Sequence, residues 1–255
     1  MSQSQSQVAD TSQYNRSADK WYWLGKECKG ADAATFKPVN NIWATDSKGL
    51  FKQDSRARGA DSRTIRVLNL LFAKDDRQVY YIMGVAKDIA DVATFEVLDP
   101  GQYVRDDGTE RRFGFARDSQ NVYCCDFFSG KPKVLKAANR ETFIRLQFGF
   151  AKDDRHVWVE SDRIKSADPA AFEIINYLYS KDRKNVFYWE SALLGADPAT
   201  FRVVAECTGL DQSSVYFMRD GIAGADARTY TVDPRDSDNG RDALHVYSRG
   251  TIVAG

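Results

Sequence analysis

Phe72-Ala73-Lys74-Asp75-Asp76-Arg77-Gln78-Val79-Tyr80-Tyr81 decides how this chain is read, because the chain says nearly the same thing again. Phe150-Ala151-Lys152-Asp153-Asp154-Arg155-His156-Val157-Trp158 is a second copy and Tyr179-Ser180-Lys181-Asp182-Arg183-Lys184-Asn185-Val186-Phe187-Tyr188 a third. Phe115-Ala116-Arg117-Asp118-Ser119-Gln120-Asn121-Val122-Tyr123 is a fourth. A fixed-period repeat fixes the architecture before any single residue does.

Aligned on the valine of Val-Tyr-Tyr, the anchors fall at Trp21, Leu50, Val79, Val122, Val157, Val186, Val215 and Val246. Their spacings are 29, 29, 43, 35, 29, 29 and 31, so the period is 29, with insertions after the third unit and within the fourth. An aspartate follows 11 residues after the anchor at Asp32, Asp61, Asp168, Asp197 and Asp226, and 12 after it at Asp91. Four residues beyond each stands Phe36, Ile65, Phe172, Phe201, Tyr230 or Phe95, while Asn139 and Phe143 take these places in the fourth unit. Two anchors held in phase over so many units define seven to eight repeats.

Each part has a physical reading. Asp-Asp-Arg-Gln or Asp-Arg-Lys-Asn between two aromatic-rich runs is turn chemistry, since Asp and Asn bond their own backbone and tolerate left-handed geometry. The flanks read as hairpin arms, Leu70–Lys74 with Val79–Met83 and Tyr177–Lys181 with Asn185–Trp189. Gly195-Ala196-Asp197-Pro198-Ala199-Thr200-Phe201 places an N-cap Asp before a Pro at the first helical position, which predicts one or two helical turns. The residue after each anchor is aromatic (Tyr22, Phe51, Tyr80, Tyr123, Trp158, Phe187, Tyr216, Tyr247), as expected of an inter-repeat packing position. The next position varies freely, from Trp23 to Tyr81 to Tyr188, and is the place for specificity in a repeat protein.

Bulk composition removes several function classes. Across 255 residues, 36 Lys and Arg balance 36 Asp and Glu, so no global field draws the chain to nucleic acid or an anionic membrane. No apolar run approaches the roughly 18–20 residues a membrane span needs. The Ser/Gln-rich residues 1–16 have no apolar core of a signal peptide and read as a flexible tail, with the repeats filling 17–255. Cys28, Cys124, Cys125 and Cys207 lack zinc spacing and read as reduced packing residues. A cytoplasmic location is expected, or a periplasmic one were a leader to precede this sequence.

No catalytic set emerges. His156 and His245 sit at a turn position that holds Gln78, Asn121 and Asn185 in sister units. Asp236, Asp238 and Asn239 suggest calcium, yet the spacing departs from an EF-hand and Tyr247 stands where its bidentate Glu belongs. Neither a phosphate-cradling glycine loop nor a nucleophile elbow is present. The expectation is a chain that is not an enzyme and takes no cofactor or metal.

Ala-Lys-Asp-x-x-x-Val-Tyr-Tyr followed by Gly-Ala-Asp-Pro-x-Thr-Phe resembles the DKNYY family of bacterial repeat proteins, over roughly Trp21 to Ile252. Ser17 in place of the turn Asp and Asn139 in place of the cap Asp depart from the pattern. The resemblance implies a protein without a catalytic site, similar to the immunity proteins encoded beside secreted antibacterial toxins. The reading is therefore a mainly β, elongated array of hairpin repeats with short helical turns, a closed propeller being the alternative. Its expected function is to bind and occlude a cognate toxin, against a rival reading as a carbohydrate or cell-envelope binder. Contact residues are expected in the insertion and at variable strand positions: Tyr103, Asp106, Asp107, Glu110, Arg111 and Arg112, with Trp23, Tyr81, Tyr188 and Trp189 as aromatic anchors. An Asp107-Gly108 turn is expected to close a hairpin there.

Overall fold

In repeat 3, Phe72–Lys74 pairs antiparallel with Val79–Tyr81, and in repeat 6 Tyr179–Lys181 pairs with Val186–Tyr188, as the turn chemistry requires. A computed structural model describes residues 13–128 and 130–254. Repeats are numbered here by anchor, from Trp21 in repeat 1 to Val246 in repeat 8. Each hairpin gains a strand on either side. In repeat 3 these are Arg66–Val67 and Gly84–Val85, which makes the unit a four-stranded antiparallel meander. Among the described residues there are seven four-stranded sheets, a three-stranded one in repeat 1, and a two-stranded hairpin of Tyr103–Val104 with Glu110–Arg111. None of the sheets closes into a barrel. A period of 29 thus accommodates four strands because most of the flanking ones are only two residues long, too short to show any periodicity.

Two expectations are corrected. No helix forms among the described residues; the Asp-Pro-Ala-Thr-Phe segment makes a single closed turn. In it the Phe201 and Thr200 amides donate to the Asp197 carbonyl at 3.0 and 3.3 Å, and the Asp197 carboxylate accepts from Ala199 N and Thr200 Oγ1. The next residue, Arg202, already pairs with Leu210, so the turn cannot propagate past its costly first hydrogen bonds. At the N-terminus, residues 1–12 of the expected tail lie outside the described residues, and Tyr14–Ser17 pair with Lys20–Trp23 as the first strand of repeat 1. Tyr14 stands seven residues before its anchor, as do Trp43, Phe72, Phe150 and Tyr179.

The chain divides into two compact units. One holds the described residues up to Gln102 with Arg112–Lys136; the other holds Tyr103–Arg111 with the chain from Ala137 onward. Within each unit, successive repeats are joined by an aromatic sandwich. The ring that ends a turn lies between a ring of the repeat before and one of the repeat after: Phe95 between Phe72 (5.3 Å) and Tyr123 (6.1 Å), Phe201 between Tyr179 (5.4 Å) and Tyr216 (6.0 Å). The strand residue beneath is small. A Cβ on Gly209 would collide with the Phe201 ring, so only glycine fits there. Rings such as Phe72, Tyr123 and Tyr179 are fully buried, each stabilising the junction by about 1.5–3 kcal/mol.

The second joint is a carboxylate. Asp75, wholly buried in the hairpin turn of repeat 3, accepts from its own turn amides Arg77 N (2.8 Å) and Gln78 N (2.9 Å). It also accepts from Asp61 N, in the turn that leads out of repeat 2 (3.1 Å), and from the Tyr80 hydroxyl (2.9 Å). The same bond from the preceding turn recurs at Asp46, Asp118, Asp153, Asp182, Asp211 and Asp242, from Asp32, Asp91, Asn139, Asp168, Asp197 and Asp226 in turn. In repeat 2, Phe51 has no hydroxyl to give; Arg56 lies over its ring at 4.3 Å and forks onto Asp46 at 2.8 and 2.6 Å instead. A return bond completes the joint: the turn threonine accepts from the residue after the carboxylate, as Thr94 Oγ1 does from Ser119 N (2.8 Å). The lysine of Ala-Lys-Asp also has a task, Lys74 Nζ donating to the carbonyls of Val92, Ala93 and Phe95.

Burial alone would raise these carboxyls. The converging amide and hydroxyl donors, with Arg56 at Asp46, outweigh it and hold Asp46, Asp75, Asp118, Asp211 and Asp242 below the usual carboxylate range. Because the folded values lie below the unfolded value of about 3.9, their contribution is full above pH ~4 and is lost as pH falls through the folded values. The melting temperature should hold from neutrality to about pH 5 and then drop steeply; a flat curve down to pH ~2 in a circular-dichroism titration is the opposing result. Asp75→Asn, which turns an acceptor into a donor facing Asp61 N and Tyr80, should cost roughly 2–4 kcal/mol in urea unfolding. Its exposed neighbour Asp76→Asn should cost less than about 0.5 kcal/mol, and equal losses for the two would refute the joint.

Candidate binding surface

The insertion after repeat 3 closes through its Asp107-Gly108 turn as expected, with Gly108 N donating to Arg105 O at 3.0 Å and Gly108 at φ 81°. Its side chains are engaged within the second unit. Arg111 forks onto Glu160 through Nε and Nη2, each at 3.0 Å, and the buried Tyr103 hydroxyl donates to the same carboxylate at 2.9 Å. Burial and the adjacent Glu160 charge push the Tyr103 phenol well above its ordinary value. Gly149 makes room for this arrangement, since a Cβ there would stand 2.8 Å from Glu160 Cγ and 3.3 Å from the Tyr103 ring. Asp106 accepts from Tyr177 N at 2.9 Å, and Arg105 lies over the Tyr177 ring at 5.1 Å. The Tyr177 hydroxyl in turn donates to Glu206. The hairpin therefore splints repeats 5 and 6.

Of the other residues expected at a contact, Asp107 is exposed but holds Thr109 N and Oγ1, and Glu110 is exposed. Arg112, in the first unit, lies over the Phe127 ring at 4.9 Å. Trp23 is half-buried and donates Nε1 to Asn41 O at 2.7 Å. Tyr81 is buried, while Tyr188 is half-buried with its ring 5.2 Å from Tyr179. Trp189 is half-buried and packs on the cluster around Leu178 and Tyr179. The ring that follows each anchor is buried in repeats 2–8, so those seven are packing residues.

Variation reaches the surface one step later, in the turn joining the last two strands of each sheet. Its backbone recurs in six of the eight repeats. The first turn residue adopts positive φ in Leu24 (45°), Gln53 (56°), Glu160 (50°), Trp189 (55°), Met218 (55°) and Arg249 (48°). Its amide donates to the strand before, as Leu24 N does to Gln13 O (2.9 Å) and Met218 N to Cys207 O (2.7 Å). Side chains in these turns are unrelated from repeat to repeat and several are apolar and exposed. Leu24 is 60%, Met83 67% and Phe128 76% accessible in the first unit, and Met218 41% in the second. Except at Trp189, sequence reading passes over these turns because they fall outside the repeated words; their signal is the lack of repetition between the Val-Tyr-Tyr segment and the next Ala-Asp.

Several groups suited to chemistry are engaged within the fold. No cluster of three His, Cys, Asp or Glu able to hold a metal occurs among the described residues. Asn239 Nδ2 donates to Asp236 and Arg249 pairs with Asp238 at 3.1 Å, so protein donors fill the segment that suggested calcium. His156 Nδ1 and His245 Nδ1 stand 3.6 and 3.8 Å from Asp153 and Asp242, beyond hydrogen-bond length, while both backbone amides bond those carboxylates. Burial pushes the thiols of Cys28 and Cys207 up to about 11.

The class is thus a β-rich repeat protein whose repeated residues build the scaffold. Residues 72–210 and 115–251 each match the model of the DKNYY family, together spanning most of the chain, and the chain belongs to that family. No curated protein and no solved structure matches it.

The splint can be tested by hydrogen exchange. Arg111→Ala leaves Glu160 buried without its cation, which should cost roughly 3 kcal/mol and speed amide exchange through 103–111 and at Tyr177 while leaving repeat 3 protected. Unchanged protection of the hairpin would show that it is held in some other way.

Proposed function

We propose that this protein is a non-enzymatic protein-binding module of the immunity type, which occludes a secreted antibacterial toxin. One observation carries the binding half of this reading: exposed apolar side chains differ from repeat to repeat in the turns between the last two strands, at Leu24, Met83, Phe128 and Met218. Exposed Met and Phe are enriched at protein interfaces, and the variation of these side chains within one chain gives each repeat a different contact. The immunity half is supported by the family resemblance and by the employment of the repeated polar groups inside the fold. Sugar stacking finds less support, since the repeated rings are buried.

The test is a pull-down with the intact tagged chain from its source cells, followed by mass spectrometry. A single stoichiometric partner should be retained, and Leu24→Asp with Phe128→Asp should release it while the melting temperature stays within about 2 °C. Retention on cell-wall material without a protein partner would overturn the proposal, as would a turnover activity abolished by one substitution.

A further inference from the structure

The residue that directly follows the last strand of each four- or three-stranded sheet in the first unit is fixed by one backbone contact. Cys28 N donates to Trp21 O, Ala57 N to Leu50 O, Ala86 N to Val79 O and Leu135 N to Val122 O, each at 2.8 Å. The next residue is a base in all four repeats of the first unit: Lys29, Arg58, Lys87 and Lys136. All four are exposed, and none makes an ion pair with the described residues. In the second unit the same place holds Lys165, then Leu194 and Ala223, so the fold does not demand a base there. A charge that is structurally unnecessary yet present in every repeat of one unit needs an external reason.

Two of these bases line grooves between neighbouring repeats. Arg58 borders a cavity of about 350 Å³ between repeats 2 and 3, together with Lys52 and the exposed Met83. No carboxylate lines it, and Arg56, the third cation there, is already spent on Asp46. Lys87 borders the next groove, about 200 Å³, with Lys131 opposite and Asp88 the one acid. Tyr81 and Val85 form a wall of both. The lining therefore alternates apolar surface with unpaired cations. A volume of this size takes a side chain or two rather than a folded domain.

We infer that the two grooves flanking the fourth strand of repeat 3 receive an extended segment of a protein partner in which acidic and apolar residues alternate. Arg58, Lys52 and Lys87 would meet its carboxylates, and Met83 with the Tyr81 wall its apolar side chains. Positive lining against a negative segment gives register and fast encounter, and flexible Met83 adapts to the apolar side chain. Polypeptide is favoured over nucleic acid because the aromatic walls, Tyr81 and Trp43, are buried and offer no exposed ring on which a base can stack. This inference rests on the reading of the chain as a protein-binding module.

The test titrates the full isotope-labelled chain with the peptide acetyl-(Leu-Glu)3-amide and, separately, with acetyl-(Leu-Lys)3-amide and a thymidine oligonucleotide, following the Met83 methyl by NMR. The acidic peptide alone should shift Met83 and the amides of residues 52–58 and 84–88. Arg58→Glu with Lys87→Glu should weaken it at least about tenfold, and raising salt from about 50 to 500 mM should weaken it several-fold. Equal response to the basic peptide, no response to the acidic one, or saturation of these resonances by the oligonucleotide overturns the inference. The same double variant in the pull-down separates the two claims. A partner retained undiminished sinks the groove and leaves the protein-binding reading intact; a specific peptide response with no captured partner supports the groove and counts against the occlusion of a toxin.

Discussion

Everything in this molecule depends on a buried carboxylate that serves two repeats at once. One oxygen closes the hairpin turn of its own repeat; the other takes the amide of the turn arriving from the repeat before. Neither repeat can satisfy its polar backbone alone. A charge is tolerated in such a place because as many as five donors converge on it at Asp118: Ala90 N, Asp91 N, Gln120 N, Asn121 N and the Tyr123 hydroxyl. Where one donor is missing, another replaces it, as Arg56 does at Asp46.

The aromatic sandwich and the carboxylate joint divide the work. Stacked rings supply most of the apolar burial at each junction, without much preference of register. Hydrogen bonds from fixed backbone positions supply the register, since a slip of one residue would strand a buried charge. Both joints link adjacent repeats only, the carboxylate and the amide it takes being 14 residues apart in the commonest case, so the array is stabilised by nearest neighbours.

Much of this was legible in the sequence, and the rest was hidden for physical reasons. Asp75, Asp118 and Asp182 announce turns, and the ring after each anchor announces a packed interior, because both follow from local chemistry at a fixed period. The second carboxylate oxygen is invisible: a turn aspartate looks the same whether or not another repeat reaches it. Flanking strands of two residues, such as Gly84–Val85, carry no pattern to read. Tyr14 was masked by its Ser- and Gln-rich neighbours, although the seven-residue offset from Trp21 places it with Trp43 and Phe72. Among the candidate contact residues, Tyr103 and Arg111 look like insertion-loop side chains until Glu160 and the room left by Gly149 are known. The outer-turn residues Leu24 and Phe128 were overlooked because nothing repeats there.

The splint has a consequence for how the chain can be divided. A gene cut after Lys136 would give each product four anchors of the repeat, and by sequence the break would look harmless. The segment that neutralises Glu160, however, is encoded on the far side of that cut, within the first product. The downstream product would begin life with Glu160 stripped of its arginine and tyrosine partners, and with Gly149 facing the space that the Tyr103 ring had filled. Repeats 5 to 8 are therefore not a portable module, because a segment written among the earlier repeats completes their packing.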